Sequence, residues 1–199
     1  EQFELWQTLI EARTGMTVGV ARRSFLETNL GIRMREIGVS DYETYYEQLM
    51  GGPGAEREWA VLVDRLTVQE TSFFRHPSSF ALVRAHVAEV LMKEPQRREL
   101  NLWSVGCSTG EEPYSLAMQT DAQLTELRRS KVYFGVTASD ISLPTLARAR
   151  QGIYGERRLH NVPAAWKQKY FQPVTGKKEF QITDELKKRV AFVQVNIME

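Results

Sequence analysis

The sequence predicts an α/β fold in which a helical part, residues 1–66, precedes a doubly wound parallel sheet. Apolar side chains at helical spacing characterise the first part. In the second part, residues 102–105 form a short apolar strand that ends in a glycine-bracketed loop, 106–110. Pro113 then suits the first turn of a helix, and a second apolar strand over residues 132–138 follows at the distance of one βαβ unit.

Composition limits the classes of function. The chain has 199 residues, 42% of them apolar and 26% charged, and a formal net charge of +1, without the basic excess that nucleic-acid binding requires. No apolar run has the length of a membrane span, and a single cysteine fits a reducing compartment. We therefore expect a cytoplasmic protein that binds no nucleic acid, does not insert into a membrane and, lacking zinc-type spacing, holds no metal. Because residues 193–199 resemble a buried strand, we also expect a chain truncated within its sheet.

Four amphipathic helices are expected in the N-terminal part. The first ends near Gly15, and the second passes through Gly31, a residue that costs about 1 kcal/mol in a helix interior. Asp41 is placed to cap the third helix, and the fourth covers residues 55–66.

Basic residues concentrate in two stretches. Between residues 13 and 37, arginines outnumber acidic residues and stand at Arg13, Arg22, Arg23, Arg33 and Arg35. This stretch is either a solvated helix face or a docking face for an acidic partner helix. A second basic stretch, residues 156–189, is interpreted as solvated surface.

Residues 67–99 connect the helical part to the sheet. They include two adjacent phenylalanines, Phe73 and Phe74, directly before Arg75. A helix is expected over residues 80–91. We therefore expect a helical domain over residues 1–66, this connector, and an α/β domain over residues 100–199.

The second strand of the α/β domain ends at Asp140. An acidic residue there either binds ribose hydroxyls or caps the next helix, which is expected over residues 143–150. A short helix over residues 164–170 and strands at 180–182 and 191–195 complete the expected elements.

The loop also matches the G-x-S-x-G pattern of serine hydrolases. A hydrolase needs a histidine base near Ser108, and the only histidine downstream is His160, in a polar basic stretch. A catalytic Cys107 would likewise need a histidine partner. Both alternatives therefore rank below a ligand-binding loop.

Two acidic residues after the loop indicate the kind of ligand. Glu111 and Glu112 would repel a triphosphate, and no G-K-[S/T] closes the loop as in a P-loop. They suit a ligand that is cationic and carries a ribose. S-Adenosylmethionine has a sulfonium, an amino group and a ribose diol, so the loop favours methyl transfer.

Five ordered segments resemble the motifs of one family. Residues 108–115, Ser-Thr-Gly-Glu-Glu-Pro-Tyr-Ser, are similar to the signature of the CheR family of chemotaxis receptor methyltransferases, which are protein-glutamate O-methyltransferases. The other four are Thr71-Ser72-Phe73-Phe74-Arg75, Ala138-Ser139-Asp140-Ile141, Ala149-Arg150-Gln151-Gly152-Ile153-Tyr154 and Val195-Asn196-Ile197. The resemblance covers nearly the whole chain. It implies a helical substrate-docking domain followed by a Rossmann-like sheet of the class I S-adenosylmethionine-dependent methyltransferases.

The resemblance also implies roles for individual residues. Arg75 would lie at the reaction centre as the catalytic residue. The implied cofactor-binding residues are Gln69, Thr71, Arg75, Gly106, Glu112, Asp140, Asn196 and Ile197, and the implied substrate-docking residues are Arg22, Arg23, Arg33 and Arg35. Asp140 would contact the ribose, and Asn196 with Ile197 the adenine. Gln69 departs from the family, which usually has asparagine there.

The implied reaction is O-methylation of glutamate side chains on a cytoplasmic helix of a chemoreceptor, with S-adenosylhomocysteine as the product of the cofactor. A glutamate carboxylate is ionised at neutral pH, so the reaction needs alignment more than a strong base. The alternative is a degenerate methyltransferase domain that senses the cofactor or serves as a scaffold. We expect this chain by itself to have weak or no activity. A sheet cut after its third strand would leave an edge through which two copies can dimerise.

Overall fold

The computed structural model describes residues 2–67 and 70–197, which divide into two compact units. The first unit contains the described residues up to 67 together with residues 141–144 and 195–197, and the second contains residues 70–140 and 145–194. Within the described ranges, none of the helices is long and apolar enough to cross a membrane.

Four α-helices form most of the first unit: α1 Gln2–Thr14, α2 Arg23–Ile37, α3 Tyr42–Gly51 and α4 Ala55–Leu66, with a 3-10 turn Val20–Arg22 before α2. Local sequence sets their ends. Gly15 follows α1 with φ of 69°, and Gly38 ends α2 with φ of 73°, both in the left-handed region that glycine favours. The Asp41 side chain accepts a hydrogen bond from the Thr44 backbone N at 2.8 Å and so caps α3. The four predicted helices are confirmed.

Apolar side chains from all four helices meet in one core. Its largest fully buried members are Tyr45, Ile10, Leu26, Leu30, Leu49 and Leu62. The Trp6 ring packs against Tyr45 with centroids 5.4 Å apart. This burial stabilises helices that are individually too short to be stable in water.

The remaining elements follow in the order α5 Pro77–Lys93, β1 Glu99–Val105, α6 Glu111–Glu126, β2 Tyr133–Asp140, α7 Leu143–Gln151, β3 Ile153–Gly155, a 3-10 turn Glu156–Leu159, α8 Ala164–Tyr170, β4 Phe171–Pro173, β5 Glu179–Ile182, α9 Asp184–Lys187 and β6 Val190–Gln194. A parallel sheet has the order β1-β2-β6. Its register pairs Val105 with Ser139 and Asp140 with Gln194, so the carboxyl ends of its strands lie side by side. This arrangement confirms the predicted α/β class and brings the loop after β1 next to the end of β2.

A second, antiparallel sheet has the order β3-β5-β4. Only β5 is predicted from the sequence. β3 and β4 have three residues each, too few to show an alternating pattern. β3 pairs with β5 across the intervening α8 and β4, and β4 pairs with β5 as the next strand along the chain. Residues 153–155 form a strand directly after Gly152, which ends α7 with φ of 61°. The helix α6 ends at Glu126.

Candidate functional site

The loop after β1 is bonded to the end of β2. The Cys107 backbone N donates to the Ser139 carbonyl oxygen at 2.9 Å, and the Ser108 backbone N donates to Asp140 Oδ2 at 2.8 Å. The helix α7 begins at Leu143, so Asp140 does not directly precede it. One Asp140 oxygen is thus bonded to the backbone of the ligand loop.

Three loop residues have left-handed backbone: Gly106 with φ of 67°, Ser108 with 49° and Gly110 with 94°. At Gly110 a Cβ would stand 2.9 Å from the Tyr154 hydroxyl and 3.0 Å from the Ala149 Cβ, so a side chain does not fit. The same Tyr154 hydroxyl donates to the Thr109 carbonyl oxygen at 2.7 Å. The loop is therefore held in one shape by close packing on one side and hydrogen bonds on the other.

The two glutamates at the start of α6 have different environments. Glu111 is buried, and its carboxylate accepts hydrogen bonds from Thr109 Oγ1 at 2.6 Å and from Arg158 Nη1 at 3.1 Å. Glu112 is exposed and accepts a hydrogen bond from Ser104 Oγ at 2.7 Å. Across the part of the chain that the structure describes, Glu112 forms no ion pair. The expectation that both acidic residues face a cationic ligand is thus corrected: only Glu112 can, because Arg158 compensates Glu111.

The electrostatic field of the loop is negative. Burial raises the pKa of the Cys107 thiol to about 12, and the nearby charges of Asp140, Glu112 and Glu111 act in the same direction. The thiol is therefore protonated at neutral pH, which excludes a thiolate nucleophile. The same field favours a cationic ligand.

The loop does not assemble a serine hydrolase site. The Ser108 hydroxyl oxygen is buried and has no hydrogen-bond partner among the described residues. His160 Nδ1 instead lies 2.9 Å from the Arg157 carbonyl oxygen, and one Asp140 oxygen is bonded to the Ser108 backbone. A hydrolytic triad needs nucleophile and base in hydrogen-bond reach, and this requirement is not met.

The segment with the two phenylalanines packs within the second unit. The Phe73 ring is buried against Tyr154, with centroids 4.9 Å apart. The Phe74 backbone N donates to Ser115 Oγ at 3.1 Å, and the Thr71 carbonyl oxygen accepts from Arg158 Nη1 at 2.9 Å. These contacts bring Thr71 and the start of α6 together.

Four further predicted site residues remain: Arg75, Asn196 and Ile197, which the structure describes, and Gln69, which it does not. Arg75 is exposed, and its guanidinium pairs with the Glu70 carboxylate at 3.1 Å and with the Glu70 carbonyl oxygen. Asn196 and Ile197 belong to the first unit, where Asn196 Nδ2 donates to the Arg13 carbonyl oxygen at 2.8 Å. Gln69 lies outside the described residues.

The predicted docking arginines are not equivalent. Arg22 and Arg35 are exposed, and Arg23 pairs with Glu27 at 2.8 Å. Arg33 points inward: Nε and Nη2 donate to the two Glu58 oxygens at 2.8 and 2.6 Å, and only 18% of its side chain is exposed. We therefore leave Arg33 out of the docking face, because its charge is already used inside the helical unit.

Comparisons with known families identify the chain. Residues 1–67 match the model of the CheR methyltransferase all-alpha domain, and residues 69–199 match that of the CheR methyltransferase SAM-binding domain. The chain belongs to the CheR methyltransferase family. The resemblance drawn from the five sequence segments is confirmed, and S-adenosylmethionine is the cofactor of the domain that matches the second part.

Three relatives of this CheR chain illustrate the family. The chain is 30% identical over 93% of its length to the chemotaxis protein methyltransferase of Borreliella burgdorferi and 33% identical over 96% to that of Escherichia coli. It is 29% identical over 98% of its length to the probable biofilm formation methyltransferase WspC of Pseudomonas aeruginosa. The chain spans 65%, 64% and 44% of these relatives, respectively.

The residues of the CheR loop fit S-adenosylmethionine chemically. Glu112 supplies a carboxylate without a cationic partner in the described ranges, which suits the sulfonium and amino groups. Asp140 supplies a second carboxylate, of the kind that binds ribose hydroxyls. The buried Ser108 hydroxyl without a partner is a further polar atom at the same loop.

Proposed function

We propose that this CheR chain methylates glutamate side chains on the cytoplasmic helices of a chemoreceptor, using S-adenosylmethionine. The observation that carries the proposal is the pair of carboxylates, Glu112 and Asp140, at a loop with left-handed backbone. The names of the chemotaxis methyltransferase relatives support the reaction and the receptor substrate.

In this proposal the residues of the chain bind the cofactor and orient it toward the substrate carboxylate. When bound, the cofactor supplies a methyl group on a positively charged sulfur. We assign the cationic end to Glu112, the ribose to Asp140, and close approach of the ligand to the backbone at Gly106. Thr71, Gln69, Asn196 and Ile197 complete the proposed cofactor-binding set. No general base is needed, because the substrate carboxylate is already ionised.

We assign Arg75 the role of positioning a carboxylate at the reaction centre, either that of the substrate or that of the cofactor. The ion pair of Arg75 with Glu70 is weak, because 42% of the Arg75 side chain is exposed to solvent. Arg75→Ala is expected to abolish methyl transfer, and Arg157→Ala, at an exposed arginine of the same unit, is the control. A loss of S-adenosylhomocysteine affinity in Arg75→Ala would identify the cofactor carboxylate, and an unchanged affinity the substrate carboxylate. Unchanged turnover would refute the assignment.

The docking face is proposed to consist of Arg22, Arg23 and Arg35 on and before α2. Exposed arginines on these two consecutive elements attract an acidic helix and raise its local concentration. Their action is screened by salt, so the KM for a receptor helix should rise with ionic strength more than that for the cofactor.

We also propose that the free side of β1 allows two copies of this chain to pair. In the described part of the chain β1 has only β2 as its strand neighbour, and Trp103 on it is 61% exposed. Such an edge is a site for strand addition. Light scattering at increasing protein concentration tests this, and a monomer throughout would refute it.

The function itself is tested by transfer of a radiolabelled methyl group from S-adenosylmethionine to a panel of receptor cytoplasmic helices, using the intact protein that contains this chain. We expect base-labile label on glutamate side chains. Binding of S-adenosylhomocysteine without any transfer would favour the scaffold alternative, and neither binding nor transfer would refute both.

A further inference from the structure

Arg158 joins two segments that contribute to the proposed cofactor site. It stands in the 3-10 turn Glu156–Leu159, within a stretch that the sequence suggests is only solvated surface. Its Nη1 donates both to the Thr71 carbonyl oxygen, at 2.9 Å, and to Glu111 Oε1, at 3.1 Å. One guanidinium nitrogen thus connects the segment before α5 to the first residue of α6.

The buried charge of Glu111 is compensated by its contact with Arg158. Its side chain is 1% exposed, and a carboxylate so completely removed from water is costly unless it is paired and hydrogen-bonded. Among the described residues, Arg158 is the cation that pairs with it, and Thr109 Oγ1 supplies the further hydrogen bond. The Arg158 side chain is 48% exposed, so it reaches inward from the surface to compensate a buried charge.

The other end of the Thr71–Phe74 segment is attached to the same glutamate. The Phe74 backbone N donates to Ser115 Oγ at 3.1 Å, and this hydroxyl donates to the Glu111 carbonyl oxygen at 2.6 Å. Both ends of the segment are therefore connected to Glu111, one through Arg158 and the other through Ser115. Phe74 has φ of 53°, a backbone conformation that needs such support.

We propose that Arg158 is a positioning residue of the cofactor site, which holds the Thr71–Phe74 backbone in place before the ligand binds. The inference rests on the proposed function, since it assigns Thr71 to the cofactor site. Preorganisation of this kind raises ligand affinity because less conformational freedom is lost on binding. Arg158 touches neither reacting group in this account, so its loss affects cofactor affinity and leaves the KM for the receptor helix unchanged.

The test compares Arg158→Gln with the control Arg157→Gln, at the exposed neighbouring arginine. The first readout is hydrogen exchange of residues 71–75 in the ligand-free protein, and the second is calorimetric titration with S-adenosylhomocysteine. We expect Arg158→Gln to accelerate exchange of the Phe74 amide and weaken S-adenosylhomocysteine binding, each by about tenfold, from the loss of charge-assisted hydrogen bonds. Arg158→Lys should give intermediate values, because an ammonium keeps the charge but not the fork of donors.

Three results would overturn parts of this account in distinguishable ways. If Arg158→Gln binds like the wild type, or exchanges like it, Arg158 does not position the site. If the wild type takes up no S-adenosylhomocysteine, the proposed function fails first, and the exchange readout still decides whether Arg158 anchors the segment. Should Arg158→Gln unfold, the Glu111→Gln/Arg158→Gln double variant, which contains no unpaired buried charge, is measured in its place.

Discussion

Gly110→Ala should strongly destabilise the second unit. The residue has φ of 94°, where an L-amino acid pays about 1–2 kcal/mol relative to glycine. The new Cβ would also stand 2.9 Å from the Tyr154 hydroxyl and 3.0 Å from the Ala149 Cβ. Overpacking at such a site costs about 1–3 kcal/mol more, so the whole loss is about 2–5 kcal/mol. Tyr154 cannot yield cheaply, since its hydroxyl is bonded to the Thr109 carbonyl oxygen.

Gly176→Ala is the matched control in the same unit. Gly176 has φ of 77°, but a Cβ there would meet nothing within 4 Å. Gly176→Ala should therefore lower the free energy of unfolding only by the cost of the left-handed backbone, about 1–2 kcal/mol. Urea unfolding followed by far-UV circular dichroism gives the free energy of unfolding of both variants. If Gly110→Ala loses no more stability than Gly176→Ala, the packing described for the loop is incorrect.

Two further predictions concern buried charges and thiols. Glu58→Gln should lower the stability of the helical unit by about 2–3 kcal/mol, because Arg33 and the Tyr45 hydroxyl both donate to that carboxylate. Burial alone would raise the pKa of Glu58, but the hydrogen bonds from Arg33 and Tyr45 outweigh it and the pKa is lowered. The contribution of this carboxylate to stability is therefore fully present above its unfolded pKa and is lost as the pH falls through its lowered folded-state pKa. Urea unfolding at several pH values checks this, and a constant difference between variant and wild type would contradict it. Cys107, 1% exposed and with its pKa raised to about 12, should resist iodoacetamide near neutral pH until the protein is unfolded, as mass spectrometry can measure; rapid labelling of the native protein would contradict its burial.

The sequence predicts those features that are local. Helix ends at Gly15 and Asp41 and the strand, loop and helix around Gly106 depend on residues close to one another in the chain. The carboxylate at Asp140 could also be placed, because parallel strands bring their carboxyl ends to one edge of a sheet.

What the sequence does not predict arises from pairs that are distant in the chain. Glu111 and Glu112 are adjacent and chemically alike, yet Glu111 is buried and paired with Arg158, 47 residues later, whereas Glu112 is exposed. In the same way the sequence does not distinguish Arg33 from its neighbouring arginines. In the fold, Arg33 forms an ion pair with Glu58, 25 residues later. No periodicity carries such information, because the side chains meet only after the helices and strands have packed.

The most direct test of the account is a calorimetric titration of S-adenosylhomocysteine into the intact protein and into two variants. Glu112→Gln removes the carboxylate proposed to bind the cationic end of the ligand, and Glu126→Gln removes an exposed glutamate from the last turn of the same helix. We predict one site per chain in the wild type, binding weakened about tenfold or more by Glu112→Gln, and no change with Glu126→Gln. Equal affinity in all three proteins would contradict the role given to Glu112, and no binding in the wild type would contradict the proposed cofactor site as a whole.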